Sequence, residues 1–302
     1  MNDVTDSVFR QIVAKCAAPD LFFTEFVSVD SLASPGKAAM ANKLAFDDIE
    51  QPLIVQVWGL EPKNYESQCK ELAEAGYAGI DINMGCPVAK IIAKGACSAL
   101  INDRDKAKQI IDAAKNGAGD TPVSVKTRIG FDHIDLTWIE FLLEQNLPAL
   151  IVHCRTVQEM SDVPNHIEVL PKILELREAI SPKTKIVANG DISTHLQGEQ
   201  LAKKYNLDGV MIGRGIFDDP FVFSTKSPWS LKTPIEKICL FEEHVELFEK
   251  TWGKTKNPDV LKKFAKTYIV GFKGAQKVRE NIMTKRDIEA LREYIDNLKK
   301  LS

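Results

Sequence analysis

Seven short apolar runs recur along residues 21–215, and stretches with helical periodicity separate most of them. They occupy 21–27, 53–59, 79–85, 123–130, 149–156, 185–191 and 209–215. Each is apolar nearly throughout, as a strand covered on both faces must be. The intervening segments, such as 65–75 and 106–114, place their apolar residues on one helical face. Strand–helix alternation of this kind specifies parallel strands joined by right-handed crossovers. The expected fold class is therefore α/β, a (β/α)8 TIM barrel. A closed barrel has eight strands. Residues 5–16 already read as a helix. The first strand is thus expected to be missing ahead of that helix, or the barrel to close in an unusual way.

The pattern changes after Phe223. Residues 224–234 are polar with two prolines and read as a linker. From 235 to 302 only helical periodicity appears, enough for three or four helices in a small bundle. The expected domains are a barrel over 1–223, a linker over 224–234 and a helical domain over 235–302. The net charge is −3, but residues 231–302 carry 16 Lys and Arg against 11 Asp and Glu. That part is +5, which leaves −8 for residues 1–230. A basic tail on an acidic body suits a polyanionic partner at one end.

Six cysteines lie at 16, 69, 86, 97, 154 and 239, with no CxxC pair and no Cys/His set at zinc spacing. Neither a disulfide framework nor a metal site is expected, and reduced thiols fit a cytoplasmic protein. No apolar run is long enough to span a bilayer, so no membrane partner is expected. A monomer is expected.

The strand ends carry the chemistry. The segment Ile80-Asp81-Ile82-Asn83-Met84-Gly85-Cys86-Pro87 is a buried strand stopped by a proline that lacks an N–H. It leaves Asn83 and Cys86 at the C-terminal end, where parallel barrels place their ligands. Cys86 can act as nucleophile, acid or structural residue. As a thiol of ordinary pKa near 8.5 it could protonate a carbanion. Cys97, on the following loop, is its rival; Cys86 is preferred because strand-end placement fixes its geometry. Gln56, Lys126 with Arg128, and His153 with Arg155 close other strands. Lys126 and Arg128 point to the same side, and burial among apolar neighbours calls for a partner. Asn189-Gly190-Asp191 and Gly213-Arg214-Gly215 end the last two runs. Glycine-rich loops at that position in a barrel hold phosphate through backbone N–H groups, and Arg214 can add its charge.

Taken together, these motifs resemble the tRNA-dihydrouridine synthases, flavoenzymes that reduce uridines in transfer RNA. The resemblance runs over almost the whole chain. It is carried by Thr5-Asp6, Phe9-Arg10, Thr24-Glu25-Phe26, Gln56-Val57-Trp58-Gly59, Asp81 to Pro87, VKTRIG at 125–130, HCRT at 153–156, Asn189 to Asp191 and MIGRG at 211–215. It implies an FMN cofactor and NADPH or NADH as reductant. It places the catalytic cysteine at Cys86, with hydride arriving at C6 of the uracil and a proton from Cys86 at C5. Gln56, Lys126 and His153 would contact the flavin, and Asn189, Gly190, Asp191, Gly213 and Arg214 its phosphate. Asn83 would stand beside flavin and base, and Lys126, His153 or Arg155 would stabilise the developing oxygen charge. The family's first strand ends in Ala-Pro-Met, whose backbone touches the flavin; only Met1 matches it here. The segment 158–167 departs from the family pattern, and Cys97 stands where many members have glycine.

The resemblance also implies that the helical domain grips tRNA. Lys262, Lys263, Lys266, Lys273, Lys277, Arg279, Lys285 and Arg286 crowd a short stretch with few acids. Lys262 with Lys266, and Lys273 with Lys277, are spaced to share helix faces. No GxGxxG fingerprint locates a dinucleotide. Two other readings stay open: another FMN-dependent pyrimidine oxidoreductase, or a tRNA-binding homologue without catalysis because the first strand is absent.

Overall fold

The computed structural model describes residue 1 and residues 3–301. All seven expected strand runs form strands, but the first is broken in two. Its pieces are β1 (Phe22–Phe23) and β2 (Val27–Ser28), both parallel to β3 (Leu53–Trp58). The break follows from Thr24. Its hydroxyl accepts from the Gln56 N–H at 3.0 Å, in the place a strand carbonyl would take. The same hydroxyl donates to the Glu25 carbonyl at 2.7 Å, which turns the chain. The remaining strands are β4 (Gly79–Met84), β5 (Val123–Arg128), β6 (Ala149–His153), β7 (Lys185–Asn189) and β8 (Gly209–Met211). Each stops short of its expected C-terminal end, because the polar tails leave the ladder and form loops.

The strands pair in parallel in the order β1-β3-β4-β5-β6-β7-β8, with β2 also on β3. Among the described residues β8 and β1 do not pair, so the sheet is an open half-barrel. No strand of the described residues precedes the first helix, α1 (Ser7–Ala17). Val55, Val57, Ile80, Ile82, Val125, Leu150, Val152 and Ile186 are all fully buried in the sheet. Side chains of this kind each contribute about 1.5–3 kcal/mol when buried. The crossover helices α2 (Pro62–Glu74), α3 (Arg104–Ala118), α4 (Leu136–Glu144), α5 (Leu170–Ile180) and α6 (His195–Tyr205) cover the outside.

Residues expected as a linker hold a short 3-10 turn, Trp229–Leu231, whose Trp229 is buried against Phe221 and Tyr268. Thr233 and Glu236 then form a capping box that starts α7 (Pro234–Trp252). Asp6 ties α7 to the barrel. One carboxylate oxygen caps α1 by accepting from the Phe9 N–H at 3.0 Å. The other accepts from Trp252 Nε1 at 3.0 Å and Lys256 Nζ at 2.6 Å. Phe9 stacks beside Phe264 and His244 in the same seam.

The lysine pairs do not share helix faces as expected. Asp259–Lys262 and Ala265–Tyr268 are separate single turns, so Lys262 and Lys266 lie on different elements. Gly271 and Gly274 take φ of +87° and +89°, which breaks the chain on both sides of Lys273. Lys277 alone of that pair lies in α8 (Ala275–Met283). The chain ends in α9 (Ile288–Leu301), which packs on α7. No helix of the described residues is long and apolar enough to cross a membrane.

Candidate active site

Parallel register sets the expected site residues side by side at the C-terminal ends of neighbouring strands. Gln56 pairs with Asp81, Asn83 with Lys126, Arg128 with His153, and His153 with Asn189. A one-way chain of hydrogen bonds runs through the first of these. Ser124 Oγ and Gln56 Nε2 donate to Asp81 at 2.6 and 2.8 Å. Asn83 Nδ2 donates to Gln56 Oε1 at 3.0 Å. Asn83 Oδ1 in turn accepts from the N–H groups of Gly85 and Cys86 at 3.1 and 3.0 Å. Asp81 is fully buried, and Gln56, Asn83 and Cys86 nearly so. Asp81 thus fixes which way both amides face and, through them, the loop that carries Cys86. Sequence reasoning assigned Asp81 no role. The available signal was a carboxylate between two isoleucines, where burial demands partners.

Packing against β5 constrains Gly85. A Cβ there would meet the Thr127 backbone of β5 at 3.2 to 3.4 Å. Cys86 lies within electrostatic range of Lys126 and Arg128, and the Cys97 thiol and the Val88 backbone act on its sulfur. The Cys97 S–H is the largest influence on it, and burial opposes; the net effect draws Cys86 down to about 6. The ordinary thiol expected from sequence is therefore an acidic one.

Burial lowers Lys126 to about 8, with Asp81 opposing and Arg128 adding to the fall. It remains a cation at neutral pH. His153 falls to about 2 through burial and the charges of Lys126, Arg128, Arg155 and Arg214, so its ring is neutral. Arg155 Nη1 lies 3.2 Å from His153 Nε2. A guanidinium can only donate, so Nε2 accepts and the ring proton sits on Nδ1.

Arg128 and Arg155 are engaged with the protein. Arg128 donates to the carbonyls of Gly85 at 3.0 Å and of Thr156 and Met160 at 2.8 Å. Arg155 donates to the Val163 carbonyl at 2.7 Å and pairs with Asp191. Together they anchor the 158–167 segment through the Met160 and Val163 carbonyls. Asp191 also meets Arg214 at 3.3 Å, so its carboxylate bridges two arginines. Asn189 Nδ2 donates to the Met211 carbonyl at 2.8 Å and joins β7 to β8.

The site has the features of a receptor for a large polar group. Glu25 Oε1 and Asn165 Oδ1 are buried without a hydrogen-bond partner among the described residues. Asn165 lies against Gly190, which takes φ +119°. No described atom stands within 4 Å of a Cβ built on Gly213, and the Arg214 side chain beside it is 62% exposed. Open backbone beside an exposed guanidinium held by Asp191 suits a phosphate, and half-buried Lys126 with the Gln56–Asn83 amides suits a heterocycle. FMN fits these residues. Met1 lies within electrostatic range of Glu25 and Lys126, on the same side of the barrel.

Of the expected RNA-contacting residues, Lys263, Lys266, Lys273 and Lys277 are exposed. Lys262 pairs with Asp259 at 2.6 Å, Lys263 donates to the Asp3 carbonyl at 3.3 Å, and Arg279 donates to the Ile269 carbonyl at 2.7 Å. Among the described residues, no group of three or more His, Cys, Asp or Glu side chains could hold a metal ion.

The chain has relatives among known proteins. The model of the family described as dihydrouridine synthase (Dus) matches residues 1–301. A probable tRNA-dihydrouridine synthase of Staphylococcus epidermidis is 42% identical over 300 residues, covering 98% of this chain and 91% of that protein. A probable tRNA-dihydrouridine synthase 2 of Bacillus subtilis is 39% identical over 304 residues, covering 99% and 92%. Morphinone reductase, solved in complex with tetrahydroNAD, shares the fold at 12% identity and a TM-score of 0.52, over 75% of this chain and 85% of that one. A half-barrel with an acidic cysteine at a strand end, matched over nearly its full length by these relatives, belongs to the dihydrouridine synthase family of flavin-using oxidoreductases.

Proposed function

We propose that this protein reduces uridines in tRNA to 5,6-dihydrouridine, with FMN as its flavin and NADPH as reductant. The observation that carries the reading is the Asp81–Gln56–Asn83 chain, which holds Cys86 at the barrel mouth beside Lys126. Gln56, Lys126 and His153 would hold the ring system. Asn189, Gly190, Asp191, Gly213 and Arg214 would hold the phosphate, with Asp191 keeping Arg214 in place and the glycines offering backbone. When bound, reduced FMN supplies the hydride that C6 of the uracil receives. Cys86, in the fraction of molecules in which it carries a proton, would give that proton to C5 and be left as a thiolate, so the rate is expected to fall as pH rises above about 6. Lys126 and the His153 Nδ1–H are the donors available to a uracil oxygen that gathers charge. Arg155 acts at one remove, by holding His153 in its tautomer and Asp191 in its place.

On this reading residues 1–223 form the flavin domain and 235–302 the tRNA-gripping domain, joined by 224–234, in a cytoplasmic monomer. The target base must leave its stack to enter the mouth, which costs a few kcal/mol and least in a loop. The test is the dihydrouridine content of unmodified tRNA incubated with protein, FMN and NADPH. Wild type is expected to form it, and Cys86→Ala to form it roughly 10²–10⁴-fold more slowly. Equal rates in the two proteins would remove Cys86 from the reaction.

A further inference from the structure

Among the described residues, Met160 is the one exposed side chain other than an aspartate or asparagine that sits on a left-handed backbone. Its φ is +47°. Aspartate and asparagine tolerate that conformation, whereas a methionine adopts it only where its surroundings impose it. The loop around it does so. Arg128 Nη1 donates to the Met160 carbonyl at 2.8 Å, and the Met160 N–H donates to the Val157 carbonyl at 3.2 Å. The N–H groups of Val157 and Gln158 donate to the carbonyls of Gly130 and Phe131, both at 3.0 Å. The Thr156 N–H donates to Glu159 Oε2 at 2.7 Å, and the Glu159 N–H to Thr156 Oγ1 at 3.3 Å. All this order fixes a side chain that is 48% exposed. Strain held at an exposed apolar residue is a mark of function rather than of core packing.

Met160 stands at the barrel mouth. Arg128 Nε donates to the Gly85 carbonyl at 3.0 Å, so one guanidinium holds both Met160 and the residue before Cys86. The loops after β4 and β5 also leave an apolar side chain in solvent, Val88 at 49% and Ile134 at 39% exposure. Arg128 and Arg155 are buried with donors turned to carbonyls. Residues 157–167 contain no lysine or arginine but do contain Glu159 and Asp162. This part of the rim repels a phosphate, and a thioether suits the face of a base. We propose that Met160 is an RNA contact whose side chain packs on the base next to the target uridine. The inference rests on tRNA being the substrate of the Cys86 site. A uridine that leaves its stack to reach the mouth uncovers the face of its neighbour. An apolar side chain fixed at the rim covers that face, as apolar wedges do in other nucleic-acid complexes. Holding the residue rigid beforehand reduces the ordering cost of the contact.

The first readout needs no catalysis. Peroxide converts an exposed methionine to its sulfoxide, and the Met160 peptide is followed by mass spectrometry. Saturating unmodified tRNA is expected to slow that oxidation severalfold, and heparin, a polyanion without bases, to leave it unchanged. No protection by tRNA, or equal protection by heparin, overturns the proposal. The second readout is kcat/KM for unmodified tRNA in the FMN-loaded protein. Met160→Ala is expected to lower it about 2- to 10-fold. Met160→Gly, which relaxes the backbone but also removes the side chain, is expected to fall with it. Met160→Leu keeps the apolar bulk and is expected to stay nearer wild type. Reduction of the flavin by NADPH is expected to be the same in all four proteins. An unchanged Met160→Ala overturns the proposal. So does a glycine variant as active as wild type, which would assign the alanine loss to backbone strain, or a parallel loss of flavin reduction, which would assign it to a damaged loop. Failure of the tRNA reading itself would show separately, as a wild-type protein that forms no dihydrouridine.

Discussion

At the scale of single residues, the site is organised by the polarity of one hydrogen-bond chain. Asp81 can only accept when ionised, so Gln56 must turn its NH2 toward it and its carbonyl toward Asn83. Asn83 must then aim its carbonyl oxygen at the Cys86 loop. Asp81→Asn puts an NH2 in that chain, and an amide flip would pass along it to the cysteine. Each mismatched buried contact costs about 1–3 kcal/mol. Uridine reduction is expected to fall about tenfold or more in Asp81→Asn, although Asp81 touches no substrate. The same variant has a pH signature. Burial raises Asp81 to about 6 against the Ser124, Gln56 and Lys126 contacts that lower it. The folded protein therefore holds this proton more tightly than the unfolded chain. Its stabilisation is present at low pH and is lost as pH rises through 6. Between about pH 4.5 and 7.5, wild type should lose about 2 kcal/mol of stability in urea relative to Asp81→Asn. Parallel curves would show that Asp81 has the same pKa folded and unfolded. Gln56, Asn83, Cys86 and Lys126 were legible in the sequence because polar residues stood at the ends of apolar strands. The part played by Asp81 was not, because it depends on which strands fold side by side.

At the scale of elements, the strands were legible and their interruptions were not. Seven apolar runs gave seven strand positions in the right order, since two-sided burial leaves a compositional mark. The break after Phe23 left no such mark, because it comes from a threonine hydroxyl that enters the ladder. The lysine faces misled for a related reason: helical spacing was present, but Gly271 and Gly274 divide the segment. Arg128 read as a buried charge in need of a partner and Arg155 as a site residue; the donors of both hold the 156–163 backbone. Gly85 shows what a single element contact is worth. A methyl at Gly85 must push against the β5 main chain, which cannot rotate away as a side chain could. Gly85→Ala is expected to destabilise the fold by about 1–3 kcal/mol. A melting temperature equal to wild type would mean that β4 and β5 part freely at their ends.

At the scale of the whole molecule, charge and chemistry lie in different places. The acidic barrel carries the candidate flavin site, and the basic C-terminal region carries Lys266, Lys273 and Lys277 on its surface. Phosphate contacts make affinity fall with salt, by roughly 0.7–0.9 in log–log slope for each one. Replacing these three lysines with alanine is expected to weaken tRNA binding and flatten the salt dependence by about 2 to 3. Reduction of the flavin by NADPH should be unaffected. An unchanged salt slope would place the RNA on another surface. The central claim joins the two ends of the molecule: a bound flavin would supply the electrons that the tRNA base takes up, and Cys86 would supply the proton. Its most direct test is the visible absorption of the FMN-loaded protein. The expected result is a flavin spectrum that bleaches with NADPH, recovers promptly with unmodified tRNA in the absence of oxygen, and recovers far more slowly in Cys86→Ala. A protein that takes up no FMN, or a reduced flavin indifferent to tRNA, would contradict it.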